Sequence, residues 1–460
     1  MFFGIESARR LPLLHHAKSL AEYFRHPKQG PAIATLNFLG VFLLVYAAAL
    51  CSGAPASAQD ASSLPPIRIG IILPDVPDDS SLQAEVAKAA KQGAMLAQEE
   101  FALSASMVGI TLAVVMENAN GDEVVKAAQH LVDNEKVFAL AGGFDYEGAH
   151  ALSEWAASHG VPFLNLLESS DALRNQQCAA TTFHLAPSAA MYLDAMAGWF
   201  VRAGMRRWYF VQADTEDGEA QYTRASWAID NRHFGAREIG KAVVTPGQPL
   251  PDSTVADIQQ SGADLVVMLL SASDQLKALS QLESAGIGAT VTGFPYSETQ
   301  TRAFFKASRE AAPKLGAGYR ATAWEPTMDA YGARELNARY LQRWKEPMEE
   351  SAWATYQAVK IFFEAALFTR SVAPKDILGY INAQDTVFDI WKGIGTSFRP
   401  WDRQLRQSLY LVKIDEKAAD PIEIGHLVGE LPAIYMPGTD PHERLDQLGD
   451  LEAQSLCKQQ

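Results

Sequence analysis

Short apolar runs alternate with longer amphipathic or Ala-rich stretches over the first part of the chain. Residues 67–73 (IRIGIIL) form a nearly continuous apolar run, which is typical of a strand buried on both faces. Further strands are predicted at 110–116, 137–141 and 161–165, and helices at 82–102, 122–131 (with Asp122 as the cap) and 148–158. This alternation predicts right-handed βαβ units in a parallel sheet.

The same alternation begins again at Pro187, which is predicted to open a helix ending at Ala203. Strands follow at 207–212, 238–243, 264–270 and 290–293, and helices at 219–231, 252–260, 273–285 and 298–308. The last third is predicted to hold helices at 334–344, 352–367 and 374–383, a strand at 409–414, and a Pro- and Gly-rich tail. Two successive blocks predict an α/β protein with two doubly wound sheets.

The front of the chain has the pattern of an export signal. Residues 38–50 (FLGVFLLVYAAAL) are apolar, basic residues dominate ahead of them, and residues 54–58 (APASA) supply a small-residue cleavage site. Residues 1–58 are therefore predicted to be a signal peptide, and the mature protein is expected outside the cytoplasm. An uncleaved anchor is the alternative, because residues 32–50 are long and apolar enough to span a bilayer.

The charge balance argues against nucleic acid as a partner. Residues 1–58 hold 5 of the 39 Lys and Arg and 2 of the 54 Asp and Glu, which leaves 34 basic against 52 acidic residues. A surface with this net charge of −18 repels a phosphate backbone. Two cysteines, Cys178 and Cys457, remain after cleavage. They can pair in an oxidising compartment or stay as two free thiols, and the spacing alone leaves both open.

Motifs of catalysis and cofactor binding are missing from the sequence. It contains no G-x-S-x-G or H-E-x-x-H pattern, and no Walker or G-x-G-x-x-G loop. The sequence therefore predicts neither an enzyme nor a cofactor or metal site. The combination of an export signal and two α/β blocks indicates a ligand-binding protein, with the ligand in a cleft at the carboxyl ends of the strands.

Several segments resemble the periplasmic solute-binding proteins of ABC transporters, in the type I, branched-chain-amino-acid (Leu/Ile/Val) group. They are 91–94 (KQGA), 137–143 (VFALAGG) and 160–173 (GVPFLNLLESSDAL). The resemblance implies two doubly wound lobes joined by a hinge: 67–186 with 322–392, and 187–321 with 393–435, followed by a tail, 436–460. It also implies a periplasmic monomer that delivers a small ligand to a permease in the inner membrane.

A narrower resemblance is to the substrate-binding protein of an ABC transporter system associated with PQQ-dependent alcohol dehydrogenase. Its residues are 322–324 (TAW), 333–340 (ARELNARY), 353–365 (WATYQAVKIFFEA), 398–407 (FRPWDRQLRQ), 445–449 and Cys457. Residues 401–407 are the most specific part, although they also suit a structural turn before the strand at 409. The resemblance implies a link to periplasmic alcohol oxidation and does not imply that the chain binds PQQ.

The residues that contact an α-amino acid in this group are largely replaced here. Ser169 stands where the group has a ligand-contacting Thr, and Pro295 and Tyr296 stand near its acidic residue. The resulting ligand-binding candidates combine aromatic, hydroxyl and carboxylate groups: Phe144, Tyr146, Glu168, Ser169, Ser170, Asp217, Ser271 and Tyr296. They suit a small organic molecule, such as an alcohol-derived or aromatic compound, better than leucine.

Two other functions fit the same fold. In the first alternative, the protein is a sensor or accessory factor of the dehydrogenase system and does not take part in transport. In the second it is an enzyme on the same scaffold, since a fold does not fix a function. The missing catalytic motifs disfavour the enzyme.

Overall fold

The computed structural model describes residues 64–433 and 437–457. The predicted signal segment, residues 1–58, lies outside the described residues, so its cleavage stays a prediction. Among the residues that are described, no helix is both long and apolar enough to cross a membrane.

The first sheet has five parallel strands in the order β2-β1-β3-β4-β5. Its strands are β1 (Ile67–Leu73), β2 (Leu112–Asn118), β3 (Ala139–Gly142), β4 (Phe163–Asn165) and β5 (Thr182–His184). The helices that connect them are α1 (Leu82–Met107), α2 (Glu123–Asp133) and α3 (Tyr146–His159). Nearly all of β1 is buried, because helices cover both faces of a parallel sheet.

The second sheet repeats this arrangement with four parallel strands in the order β7-β6-β8-β9. Its strands are β6 (Arg207–Ala213), β7 (Arg237–Val244), β8 (Leu265–Leu269) and β9 (Thr290–Gly293). Its helices are α4 (Ala189–Arg202), α5 (Glu216–Asn231), α6 (Asp252–Ser261), α7 (Ala272–Ser284) and α8 (Arg302–Ala311). The prediction of an α/β fold with two doubly wound parallel sheets is confirmed.

A third, antiparallel sheet was not predicted. It joins β10 (Tyr319–Thr322), β11 (Leu409–Ile414) and β12 (Gly425–Leu431) in that order. Only β11 has the apolar pattern of a buried strand. In β12 several side chains are exposed, so the strand lacks the signal of burial.

Three helices from the last third of the chain pack with the first parallel sheet and its helices. They are α9 (Ala333–Trp344), α10 (Glu350–Thr369) and α11 (Pro374–Ile381). Helix α10 packs along α1, where Gly93 lies so close that a Cβ built on it would be 2.1 Å from the carbonyl oxygen of Ala352. The glycine is therefore required by the distance between the two helix backbones.

Two predicted helix starts need correction. Helix α4 begins at Ala189, and the Ser188 hydroxyl caps it by accepting a hydrogen bond from the Met191 amide, so Pro187 precedes the cap. Asp122 precedes α2, but its side chain makes no capping hydrogen bond. The predicted helix at 298–308 is divided into a 3-10 turn, Ser297–Gln300, and α8.

The buried apolar residues form a first cluster around β1, α1 and α10, and a second around α4, β6 and β8. The chain passes between these clusters near 185–189, 321–324 and 405–411. The lobe boundaries predicted from the resemblance stay a prediction. We use "first lobe" and "second lobe" for the regions built on the first and second parallel sheets.

The C-terminal segment returns across the molecule. It contains helix α12 (Pro441–Leu445) and a 3-10 turn, Glu452–Gln454. Its last described residue, Cys457, forms a disulfide with Cys178, whose Cα lies 5.5 Å away. The bond closes a loop of 279 residues along the sequence.

Candidate functional site

The candidate ligand residues lie at the carboxyl ends of strands in both parallel sheets. Phe144 and Tyr146 follow β3, and Glu168, Ser169 and Ser170 follow β4. Asp217, Ser271 and Tyr296 follow β6, β8 and β9 in the second sheet. Ligands of open α/β sheets bind in the crevice at this end of the strands. Whether these residues bind a ligand stays a prediction.

Asp217, Tyr296 and Gln221 form a hydrogen-bonded triangle in the second lobe. The Tyr296 hydroxyl donates to Oδ2 of Asp217 at 2.7 Å. The Gln221 amide donates to the same oxygen at 2.7 Å and to the Tyr296 hydroxyl at 2.8 Å. Burial raises the pKa of Asp217. Burial and the charge of Asp217 both raise the pKa of Tyr296.

Glu168, in the first lobe, lies within electrostatic range of two members of this triangle, Asp217 and Tyr296. Its amide and carbonyl are both held by the side chain of Asn165, and its carboxylate accepts from the Ser170 amide at 2.7 Å. Burial, together with the charge of Asp217, raises the pKa of Glu168 to about 7. Asp217 therefore lies close enough to act on Glu168, and two carboxylates from different lobes share one region.

The remaining candidates are less closely grouped. Ser170 caps the 3-10 turn Asp171–Arg174, and the Ser271 hydroxyl caps α7. Phe144 packs against the first apolar cluster. The Tyr146 hydroxyl donates to Gln177 at 2.7 Å, which directs it towards the loop that contains Cys178. The structure thus brings Glu168, Asp217 and Tyr296 together, with Ser169 beside them along the chain.

Sequence reasoning missed a second hydrogen-bonded group behind Tyr296. The Tyr192 hydroxyl donates to Glu350 at 3.0 Å and accepts from Gln300 at 3.1 Å. The ring of Phe294 contacts both Tyr192 and Tyr296. Burial raises the pKa of Glu350, at the start of α10, to about 8. This group connects the site to the segment where the chain passes between the lobes.

A groove of about 670 Å³ opens beside the site. Its walls come from the loop at Asp171, from α5 and from the C-terminal segment. Four carboxylates line it, together with Arg224, which lies over the ring of Trp227: Asp171, Glu216, Glu219 and Asp450. Burial and the charge of Asp450 raise the pKa of Asp171 to about 7. The groove extends the acidic character of the site.

The raised pKa of Glu168 predicts a pH effect on stability. A folded-state pKa above the unfolded value of about 4.3 means that the folded protein holds the proton longer. The contribution of Glu168 to the free energy of unfolding is therefore present below about pH 4 and is lost as the pH rises through about 7. The urea midpoint of the Glu168→Gln variant should therefore fall less between about pH 5 and 8 than that of the unchanged protein.

The matched control for this measurement is Glu310→Gln, an exposed glutamate on α8. It should leave the pH dependence unchanged. An equal fall of the urea midpoint in both variants would contradict a raised pKa of Glu168.

The sequence matches a family profile described as periplasmic binding protein over residues 66–419. The chain belongs to this family. No curated protein matches it in sequence.

Solved structures of periplasmic binding proteins share the fold at low sequence identity. One from Burkholderia mallei has 17% identity and a TM-score of 0.67, with 85% of this chain and 98% of that chain covered. The leucine binding protein of Thermotoga maritima has 13% identity and a TM-score of 0.63, with 79% and 98% covered. A solute binding protein of Rhodopseudomonas palustris, in complex with 3,4-dihydroxybenzoic acid, has 17% identity and a TM-score of 0.62, with 81% and 99% covered.

Proposed function

We propose that this chain is a periplasmic solute-binding protein that captures a small organic ligand between its lobes for an ABC transporter permease. The observation that carries the proposal is that Glu168, after a strand of the first sheet, lies within electrostatic range of Asp217 and Tyr296, which follow strands of the second sheet. A ligand that contacts both loops favours the closed arrangement of the lobes over an open one. The family and the fold of its solved members support this function.

The charge of the site indicates which head group the ligand carries. None of the candidate ligand residues is basic, whereas Glu168 and Asp217 are carboxylates. Carboxylates accept hydrogen bonds and repel a third carboxylate. We therefore expect a ligand that donates a hydrogen bond through a hydroxyl or an amine. The ring of Tyr296, next to Phe294, supports an apolar or aromatic body on that ligand.

The proposed link to PQQ-dependent alcohol oxidation agrees with a hydroxyl-bearing ligand. It is supported by the similarity of residues 398–407 to that group of binding proteins. Such a link makes alcohols and their aldehydes the first compounds to test.

We expect benzyl alcohol or benzylamine to stabilise the purified protein in a thermal-shift assay, and benzoate to bind at least about tenfold more weakly by calorimetry, a difference of about 1.4 kcal/mol. Benzaldehyde is the fourth probe. All four compounds share one ring and differ only in the head group. Glu168→Gln and Asp217→Asn should weaken binding of the amine. Binding of the amine should strengthen between about pH 6 and 8, because Glu168 becomes ionised.

Glu310→Gln is again the matched control, since it removes a carboxylate on α8 that the site does not use. Tighter binding of benzoate than of the donor-bearing probes would overturn the assignment of the head group. Failure of all four probes and of a set of amino acids to bind would count against the solute-binding function.

A further inference from the structure

Residues 441–457 contact both lobes and the segment that passes between them, and we call them the C-terminal strap. We propose that the strap ties the lobes together and limits how far the cleft opens, with the disulfide between Cys178 and Cys457 as its fixed end. This limit on the motion of the lobes does not depend on the identity of the ligand.

The strap is attached to the second lobe at α4 and α5. Leu448 belongs to the second apolar cluster. The Gly449 amide donates to Oδ2 of Asp194 at 2.9 Å, and Arg232 donates to the Gln447 carbonyl at 3.2 Å. A Cβ on Gly449 would lie 2.8 Å from the Met191 side chain, so the backbone lies directly on α4. Asp194 is fully buried and is paired with Arg224 and Arg232.

The strap is held next by the segment 399–406, which overlaps the most specific sequence motif, 401–407. Arg399 donates to the carbonyls of Leu448 and Asp450 at 2.6 and 3.1 Å. The Trp401 indole donates to the Asp450 carbonyl at 3.2 Å. Arg406 makes two hydrogen bonds to the Asp446 carboxylate, at 2.8 and 3.1 Å. Paired contacts of this kind fix both the distance and the direction of the bound segment.

The motif also reaches back to the first passage between the lobes. Gln404 donates to the carbonyl of Ala186 at 2.9 Å, and Gln407 donates to that of Leu185 at 2.6 Å. The segment that holds the strap is therefore anchored where the chain leaves the first lobe.

The end of the strap is attached to the first lobe. The Asn175 side chain donates to the Asp450 carboxylate at 3.2 Å, and its Oδ1 accepts from the Leu456 amide at 2.8 Å. Cys457 is bonded to Cys178, three residues beyond Asn175. This loop continues from Glu168 and Ser169, so the strap ends on the loop that carries the candidate ligand residues.

Opening of the cleft would separate Asn175 from Asp194, and the strap contacts both. The nine residues from Gly449 to Cys457, separated by eight Cα–Cα steps, would reach about 27 Å if fully extended, so the disulfide alone does not hold the lobes closed. Its effect is to keep the hydrogen-bonding residues of the strap at high local concentration near their partners. Without the disulfide the strap can leave the first lobe, and an open arrangement costs fewer contacts.

The test measures lobe separation directly in the exported protein without added ligand. Dyes on unnatural amino acids at the exposed positions Glu154 on α3 and Asp230 on α5 report the distance by single-molecule energy transfer. Dithiothreitol supplies the two electrons and two protons that convert the disulfide to two thiols. We expect the population with a long interdye distance to rise severalfold on reduction.

Two variants separate the strap from general loss of structure. The double variant Cys178→Ser with Cys457→Ser should show the open population without reductant and should not respond to dithiothreitol. Asp446→Asn keeps the disulfide but weakens the pair with Arg406, so it should open the lobes to an intermediate extent. Circular dichroism checks that each variant is folded.

An interdye distance that stays the same in reduced and oxidised protein would overturn the proposal. So would a double variant that is folded and as closed as the unchanged protein. Neither result would bear on whether the cleft binds a solute, because no ligand is present in the measurement.

Discussion

Replacing Gly93 by alanine is expected to destabilise the protein by about 3 kcal/mol or more, although alanine is the better helix former. The new Cβ would lie 2.1 Å from the carbonyl oxygen of Ala352 and 2.8 Å from its Cα. These are backbone atoms of α10, so no side-chain rotation can relieve the contact. The helices would have to move apart and loosen the first apolar cluster. Urea denaturation followed by circular dichroism measures the change in the free energy of unfolding.

Gly379→Ala is the matched control for this prediction. Gly379 lies inside α11, and a Cβ built there would have no atom within 4 Å. The same substitution should therefore stabilise the protein slightly, by up to about 1 kcal/mol, because alanine loses less backbone entropy on folding. A neutral or stabilising effect of alanine at position 93 would show that the helices do not require the close approach.

The strands buried on both faces were the part of the fold that the sequence could predict. The bounds of β1, β9 and β11 agree with the predicted strands at 67–73, 290–293 and 409–414. These segments are apolar because helices or other strands cover them, and burial leaves a direct pattern in the sequence. The strands β5 (TFH) and β10 (YRAT) are short and contain polar residues, so they show no such apolar run.

The candidate site could be predicted only as a set of loops. The ends of the strands indicated where Glu168, Asp217 and Tyr296 lie, but not which of their side chains meet. The hydrogen bond from Tyr296 to Asp217 joins residues 79 apart, and that from Tyr192 to Glu350 joins residues 158 apart. Such contacts depend on how distant segments of the chain pack in the fold, and local sequence does not contain that information. Gln221 had one local signal, its place four residues after Asp217 on the same helix.

The motif at 401–407 shows how far a sequence pattern can identify a role. Its composition allowed a structural turn, and the family resemblance implied a link to periplasmic alcohol oxidation without giving the residues a mechanism. The structure gives the arginines and the tryptophan of this region a specific task, since they hold the carbonyls and carboxylate of the C-terminal strap. The two glutamines hold the passage between the lobes.

Arg174 connects that passage to the loop with the candidate ligand residues. It is 2% exposed and donates four hydrogen bonds. Three go to the carbonyls of Ser170, Glu168 and Ala186, at 2.8, 3.1 and 2.8 Å, and the fourth goes to the Gln404 side chain at 2.7 Å. Burial lowers the pKa of Arg174 to about 10, so it stays charged at neutral pH.

Replacing Arg174 by methionine should cost about 3 kcal/mol or more, because it leaves several buried acceptors without a donor. Arg174→Lys should restore little of this loss, since one ammonium group cannot reach acceptors on four residues in the geometry of a guanidinium. Arg334→Met, on the exposed surface of α9, is the control and should change the free energy of unfolding by less than about 0.5 kcal/mol. Urea denaturation gives the stability of all three variants. Hydrogen exchange at 168–178 shows whether the loop itself is loosened, and an Arg174→Met variant with unchanged stability and unchanged exchange there would contradict the role assigned to the guanidinium.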